Sequence, residues 1–466
     1  MTEIGPSQTM PPLHVVILAA GKGTRMKSGT PKVLHGIAGR RMLDYVLAAA
    51  SSLSPASIRV VIGHQGDAIR KSYADTPIRF VVQEPQLGTG HALLQAEPQL
   101  RGATGSVLLL SGDVPLLTAS TLARLAAQHH ADGAAATVLT ATVNHPHGYG
   151  RIVRSEGRIA RIVEERDASP AERQIAEINA GIYAFDLGPL FEAIAGIAAQ
   201  NAQGEYYLPD LVGIYRRQGL GVSTVTVSNP DEIRGINSRR ELAEAGAIVR
   251  QLKNEELMAA GVTLVDPATT YIEPGVLVGA DTIIHPNVYL EGRTVIGQAC
   301  QIHAGTRIVD STIGDRVTVR NYCVITESSV AENAVLGPFA HLRPSSHVMD
   351  GAHIGNFVEL KKTTLGRGSK ASHLTYLGDA TIGDNVNIGA GTITCNYDGR
   401  TKNPTVIEDD AFVGSDSALV APVTIGRGAY IAAGSTITEN VPAGALGIAR
   451  GRQVNKEGWA RGRKEE

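Results

Sequence analysis

From Ile272 onward the chain keeps time in sixes. Ile272, Val278, Ile284, Leu290, Ile296, Ile302 and Ile308 stand six positions apart. The phase slips before Ile313, Val319 and Ile325, and again before Val330, Leu336, Leu342, Val348, Ile354 and Leu360. Ile407, Val413, Leu419, Ile425, Ile431 and Ile437 close the series. Neither a helix of 3.6 residues per turn nor an alternating strand has this period. A parallel β-helix does, with stacked aliphatics inside and small residues or glycine at the corners. The 52 glycines and the low aromatic content of 4% suit such coils. The beat is lost twice, in KKTTLGRGSKASHLTYLGD and in CNYDGRTKNPT. Insertions in solenoids gather on the functional face. Plain solvated loops are the other reading, and position alone does not separate the two.

The first half follows another grammar. From Val15 to about Val227, strand-like VVILAA, RVVIG, RFVVQ, SVLLLSG and AAATVLTATV alternate with helix-like RMLDYVLAAASSL, GTGHALLQAEPQL and TLARLAAQHH. Continuous apolar strands between helices predict an α/β domain, Rossmann-like, with a mainly parallel sheet covered on both faces. Ligands of such sheets collect beyond the carboxyl ends of the strands. Ser238 and Glu241 have capping-box spacing, and Leu242, Ala245, Ile248, Val249 and Leu252 give one apolar helix face that Gly261 can end. The expected division is therefore 1–239, a helical linker over 240–260, and a β-helix over 261–466.

The opening stretch VVILAAGKGTRMKSGTPKVLH places Gly21 and Gly23 just past the first strand, with Arg25 and Lys32 close behind. Glycines let backbone N–H groups approach a ligand, a following helix would aim its positive end there, and the cations favour a phosphate. A dinucleotide fingerprint needs glycine where Met26 stands, and a Walker loop needs Ser or Thr where Gly23 stands. A tight turn with surface charges remains the alternative. The 43 basic and 45 acidic residues leave a net charge of −2, which points to neither nucleic acid nor an anionic membrane as partner. MTEIGPSQTMPPL lacks the layout of a secretory signal, and no apolar run approaches the roughly 20 residues of a membrane span. Cys300, Cys323 and Cys395 show neither metal-ligand spacing nor an even count for disulfides, so a cytoplasmic setting is expected.

LAAGKGTRM followed by PK is similar to the signature of sugar-nucleotide pyrophosphorylases. Joined to QLGTGHA, SGDVPL, GYGRI, EINAG and the six-residue repeats, it resembles the bacterial bifunctional N-acetylglucosamine-1-phosphate uridylyltransferase/glucosamine-1-phosphate N-acetyltransferase family over nearly the whole chain. The resemblance implies acetyl transfer from acetyl-CoA to glucosamine-1-phosphate by the C-terminal half. Uridylyl transfer from UTP to N-acetylglucosamine-1-phosphate then follows, supplying peptidoglycan and lipopolysaccharide synthesis. It also implies a left-handed β-helix and a homotrimer.

The same resemblance sets uridine and phosphates against Leu18, Ala19, Ala20 and Gly21, with Lys32 and a catalytic Arg25 on the phosphate side. Gln83, Gly88 and Thr89 would read uracil and ribose, and Gly150, Glu164 and Asn179 the acetylated sugar. Asp113 and Asn237 would hold Mg²⁺, which keeps waters and takes phosphate oxygens as its other ligands. Read alone, Asp113 is equally suited to a cap or a turn. The family often carries an aromatic residue where this chain has Ser111, which leaves any ring contact there without a donor.

Acetyl transfer from a thioester needs a base for the amine, and imidazole as a class suits that task, which makes His373 in ASHLTYLGD a candidate. Read alone, it is an ordinary loop histidine. By resemblance it becomes the catalytic base, with Arg343 and Lys361 on the sugar phosphate and Tyr376, Asn387 and Asn396 around the glucosamine. Ala390, Asn396, Tyr397, Ser415, Ala433 and Arg450 match acetyl-CoA positions. The basic tail with Trp459 would reach a neighbouring subunit, or else is a solvated tail. Two rivals remain: a nucleotidyltransferase whose β-helix only oligomerises or regulates it, and a nucleotide sensor on a scaffold. The first has no use for HLTY with NYDG, and the second none for Asp113 with Asn237.

Overall fold

The structure, a computed structural model, describes residues 11–460, and its internal contacts divide the chain between Ala247 and Ile248. The first ten residues of the polar N-terminus and the last six of the Trp459 tail lie outside the described residues.

In the first unit nine strands form one sheet. They are β1 (Leu13–Leu18), β2 (Ser57–Ile62), β3 (Arg79–Val82), β4 (Ser106–Ser111), β5 (Ala136–Thr142), β6 (Arg151–Ser155), β7 (Arg158–Val163), β8 (Glu177–Asp186) and β9 (Val222–Thr226). Their order is β9-β5-β8-β4-β1-β2-β3, with the β6–β7 hairpin attached to β8. β1 runs parallel to β2 and β4, β2 to β3, and β9 to β5. β8 runs antiparallel to both β4 and β5, and β7 runs antiparallel to β6, so two of the nine strands, β8 and β7, run against the rest.

Alternate residues of β1 enter two cores, Val15 and Ile17 on one face and Val16 on the other. Helices α1 (Met42–Ser51) and α2 (Ala119–Asp132) add Leu43, Val46, Leu122 and Leu125 to the first core. Helix α3 (Leu187–Ala195) adds Leu190 and Ile194 to the second. Both faces are covered, which is why the central strands read as unbroken apolar runs. One expectation fails here. The glycine loop leads only into a single 3₁₀ turn, Thr24–Met26, and α1 begins much later. The helix that directly follows the loop in the chain therefore does not form, although the first turn of the short helix Thr89–Leu94 lines the same cavity as Gly21.

Helix α4 (Arg239–Ala259) spans the expected linker. Glu241 N–H donates to Ser238 Oγ as the spacing predicts, but the Glu241 carboxylate takes the Asn237 N–H. Ala245 and Val249 are buried, whereas Leu252 is exposed and Lys253, Asn254 and Leu257 are buried in its stead. Val262 N–H closes back on Leu257 O at 3.0 Å, and Gly261 between them takes φ +93°. The expected stop holds.

The second unit is a stack of parallel coils. Leu277 pairs with Val295 and Tyr271 with Tyr289, each eighteen positions on, so three six-residue rungs make one coil. The phase slips are coils one residue shorter, as Val295 with Thr312 and Ile302 with Val319 show. The beat residues fill one continuous core, with Val278 packed at its side. The first apparent gap is not a gap. Leu365, on Thr364–Leu365, and Ala371 and Leu377, on β11 (Lys370–Gly378), carry the core through it, and β11 pairs along its length with another long strand, β10 (His353–Lys361). Ala371 is too small to read as a clock residue. His373 therefore sits on a strand, not in a loop. The second gap is a true excursion, held by a bridge between Tyr397 and Lys402, and it lengthens the step from Ile382 to its partner Ile407 to twenty-five.

The corners depart from the small-residue rule. Tyr322, Phe339, Phe357 and Leu374 occupy left-handed corners with φ between 47° and 59°. Tyr322, Phe339 and Phe357 stack ring on ring at 5.3 and 5.2 Å, and all four are exposed.

Candidate functional site

The first unit has a cavity of about 460 Å³ beyond the carboxyl ends of β1 and β4. Leu18, Ala19, Ala20, Gly21, Lys32, Gln83, Gly88, Thr89, Ser111 and Asp113 all line it. Among the described residues, the amides of Gly21, Lys22 and Gly23 have no hydrogen-bond partner. Free N–H groups on successive loop residues can receive an anion, and Gly21 and Lys22 of the three line the cavity. Gly23 is required: its φ is +60°, and a Cβ there would lie 2.9 Å from Lys32 Cβ. Gln83 is buried and donates from Nε2 to Gly88 O at 2.9 Å, with His91 Nδ1 at 3.2 Å. Among the described residues its Oε1 has no hydrogen-bond partner, which leaves it to accept from a ligand.

Lys32 gathers the next group. Its Nζ bonds Asp113 Oδ2 and stands 3.0 Å from Asn237 Oδ1. Local backbone brings this about. Asp113 follows β4 by two residues, and its carbonyl accepts from Ile236 N–H at 2.9 Å, which seats Asn237 alongside. Asn237 N–H in turn donates to Glu241 at 2.7 Å. Burial alone would raise the Glu241 carboxyl, but hydrogen bonds from Asn237 and Ser238 and the charge of Arg25 hold it below its usual value. Arg25 itself is exposed on the 3₁₀ turn and does not line the cavity.

One carboxylate and one amide oxygen thus converge on a single cation, a donor set that suits magnesium with its retained waters. Among the described residues, no three His, Cys, Asp or Glu side chains assemble as a fuller metal cage.

Gly150, Glu164 and Asn179 also meet. Asn179 N–H donates to Gly150 O at 2.9 Å, and a Cβ on Gly150 would lie 3.0 Å from Glu164 Oε1. Asn179 Nδ2 donates to Tyr183 Oη at 2.7 Å. Burial, with Asp167 and Asp210 nearby, pushes the Glu164 carboxyl up. Tyr149, which precedes Gly150, is partly buried and packs against the first core. Burial pushes its phenol up, Arg234 opposes, and the Glu241 and Asp113 charges add to the rise.

In the β-helix, stacking gathers the rest. Ile354, Ala371, Ile388, Val413 and Ile431 pair in succession. Two positions on from each stand Asn356, His373, Ala390, Ser415 and Ala433, one row along the coils. Successive coils are about 4.8 Å apart, so His373 to Ala433 spans roughly 14 Å. Arg450 closes the row, with Nη1 2.7 Å from Ala433 O. Among the described residues, the His373 ring has one hydrogen-bond partner, Asn356 Oδ1, 2.6 Å from Nδ1.

A second cluster lies beside it. Lys361 Nζ bonds Asp379 Oδ2 at 2.9 Å, and Asn396 Nδ2 bonds the same oxygen. Burial alone would raise Asp379, yet Lys361 and Asn396 hold it below the usual range. Gly378 makes room, since a Cβ there would lie 2.4 Å from Tyr376 Oη and 2.7 Å from Asn396 Nδ2. Lys402, from the excursion, stands against Lys361, whose ammonium pushes it below the ordinary lysine value. Arg343 pairs with Glu359 at 2.9 Å. Asn387 sits in register between Lys370 and Phe412, and Tyr397 is exposed with its hydroxyl on Gly399 O. Asn356, Asp379 and Lys402 were missed from the sequence. Asn356 and Asp379 each stand about one coil from a residue that was found, and the coil length was the available signal; Lys402 lies in the excursion and had none.

Comparison with known proteins agrees with this layout. Residues 15–177 match the MobA-like NTP transferase domain, 270–346 the GMPPB C-terminal domain, and 404–439 the bacterial transferase hexapeptide (six repeats). A protein of Trichlorobacter lovleyi named "Bifunctional protein GlmU" is 56% identical over 95% of this chain and 97% of its own length. Proteins of the same name from Geobacter metallireducens and Shouchella clausii are 51% and 49% identical, each over 96% of this chain and 98% of their own length. The chain belongs to the family of bifunctional GlmU proteins.

Proposed function

We infer that the chain makes UDP-N-acetylglucosamine in two steps. The β-helix half moves an acetyl group from acetyl-CoA to glucosamine-1-phosphate, and the α/β half joins the product to UTP with release of pyrophosphate. The full-length likeness to proteins named bifunctional, with one transferase domain at each end, carries this reading.

In the α/β half, an oxygen of the sugar phosphate attacks the α-phosphorus of UTP. A new P–O bond forms, the bond from Pα to the bridging oxygen breaks, and pyrophosphate leaves. Such transfers depend on alignment and counter-charge. The free amides of Gly21, Lys22 and Gly23, with Lys32 and Arg25, receive the phosphates. Gln83, Gly88 and Thr89 hold the uridine against Leu18, Ala19 and Ala20. Gly150, Glu164 and Asn179 hold the acetylated sugar. Asp113 and Asn237 would hold magnesium, which when bound supplies positive charge to the triphosphate.

In the β-helix half, Arg343, Lys361 and Lys402 hold the sugar phosphate while Tyr376, Asn387 and Asn396 orient the amine. The amine nitrogen attacks the thioester carbonyl as His373 takes its proton. The C–S bond then breaks and the thiolate recovers a proton as free coenzyme A. Ala390, Ser415 and Ala433 are small enough to pass a pantetheine arm along the row, with Tyr397 and Arg450 at its edges.

The assembly is a homotrimer in the cytoplasm, with no nucleic-acid or membrane partner. The exposed stack of Tyr322, Phe339, Phe357 and Leu374, running beside the row of Asn356 and His373, supports a second copy covering this corner. Among the described residues, no helix is long and apolar enough to cross a membrane.

Two assays on the full chain test the reading. Pyrophosphate should appear with UTP and N-acetylglucosamine-1-phosphate, and free thiol with acetyl-CoA and glucosamine-1-phosphate. Absence of either product from folded protein would reject that half.

A further inference from the structure

Asn356 on β10 and His373 on β11 stand directly opposite each other in the parallel register. Asn356 Oδ1 lies 2.6 Å from His373 Nδ1. An amide oxygen only accepts, so the bond requires a proton on Nδ1. A neutral ring carries one proton, and the basic lone pair is then on Nε2. No carboxylate bonds the ring among the described residues, so orientation rests on a neutral amide.

We propose that Asn356 is the positioning residue of the acetyl-transfer base, holding His373 in the tautomer whose Nε2 takes the amine proton. This rests on His373 being that base. When Nε2 takes the proton, the ring becomes a cation, and the Nδ1–H bond to Asn356 strengthens because one partner is now charged. The contact therefore favours the state formed during transfer over the resting ring. Asn356 touches neither substrate nor coenzyme in this account and acts only through His373.

The test uses the full chain and three variants, Asn356→Leu, Asn356→Asp and His373→Ala. ¹⁵N spectra of histidine-labelled protein, with the His373 signals assigned by their loss in His373→Ala, should show Nδ1–H in the wild type. In Asn356→Leu the Nε2–H form should become populated. Acetyl-transfer kcat should fall by about 10- to 100-fold, within the span general-base groups contribute. KM for glucosamine-1-phosphate and acetyl-CoA should stay within about threefold. Asn356→Asp, which still accepts from Nδ1–H, should restore kcat to within about fivefold of wild type. Pyrophosphate release should be unchanged in every variant, which controls for folding. Nε2–H in the wild type, or Asn356→Leu with wild-type kcat, would overturn the proposal. If His373→Ala keeps full acetyl transfer, the base reading itself fails. If His373→Ala is inactive while Asn356→Leu is not, only the role of Asn356 falls.

Discussion

Asp113 and Asn237, far apart in sequence, present their side-chain oxygens to the same ammonium group, that of Lys32. The Ile236 N–H to Asp113 carbonyl bond fixes this meeting, so the pair is part of the fold. Asn237→Ala should therefore leave the fold intact and weaken only the hold on a cation. The magnesium concentration giving half-maximal uridylyl transfer should rise about tenfold, with much of kcat recovered at saturating metal. An unchanged magnesium requirement would show that Asn237 is not a ligand.

Glu164 titrates in an unfavourable place. Burial first, then Asp167 and Asp210, raise its carboxyl, so the folded state holds the proton more tightly than the unfolded chain. Stability is then lost as pH rises through the folded value. Glu164→Gln should raise the melting temperature by about 2 °C at pH 8 and by almost nothing near about pH 4. Uridylyl transfer should lose affinity for N-acetylglucosamine-1-phosphate. A melting shift independent of pH would contradict the assignment.

The exposed corner stack offers a test of assembly. Phe357→Asp puts a charge into the row of Tyr322, Phe339 and Leu374. Light scattering should give three chain masses for the wild type and a smaller species for the variant, with acetyl transfer falling in parallel. A wild-type monomer with full acetyl transfer would reject the trimer.

The halves should be separable at the break in contacts. A chain ending at Ala247 keeps every residue placed at the nucleotide site. It should retain uridylyl transfer within a few-fold. A folded fragment with no such activity would mean that the second unit completes the site.

Much of this was legible before any coordinates. The six-residue beat marks the core because stacking demands an aliphatic at each rung, and Gly21, Gly23, Arg25 and Lys32 announce a phosphate loop. Other features were hidden for physical reasons. β8 is interrupted by Asn179 and Gly181, and an apolar run carries no sign of direction, so its reversal between β4 and β5 left no trace. The helix expected after the loop shrank to one turn because Lys27 takes a left-handed φ of 47° and Ser28, Gly29 and Pro31 follow it. His373 read as a loop residue because Ala371 fills the core where an aliphatic was sought. Asn356 and Asp379 need the coil length, which becomes known only when the slips are understood as coils of seventeen, and Lys402 lies in an excursion that follows no coil length.

The central claim is that one chain carries two independent transferases, and a crossed pair of variants tests it most directly. Asp113→Ala and His373→Ala would each be assayed for pyrophosphate release and for thiol release, as full-length protein. Asp113→Ala should lose pyrophosphate release and keep thiol release. His373→Ala should do the reverse, with acetyl transfer down by about 10² to 10⁴. Equal loss of both activities in either folded variant, or undiminished thiol release from His373→Ala, would contradict the account.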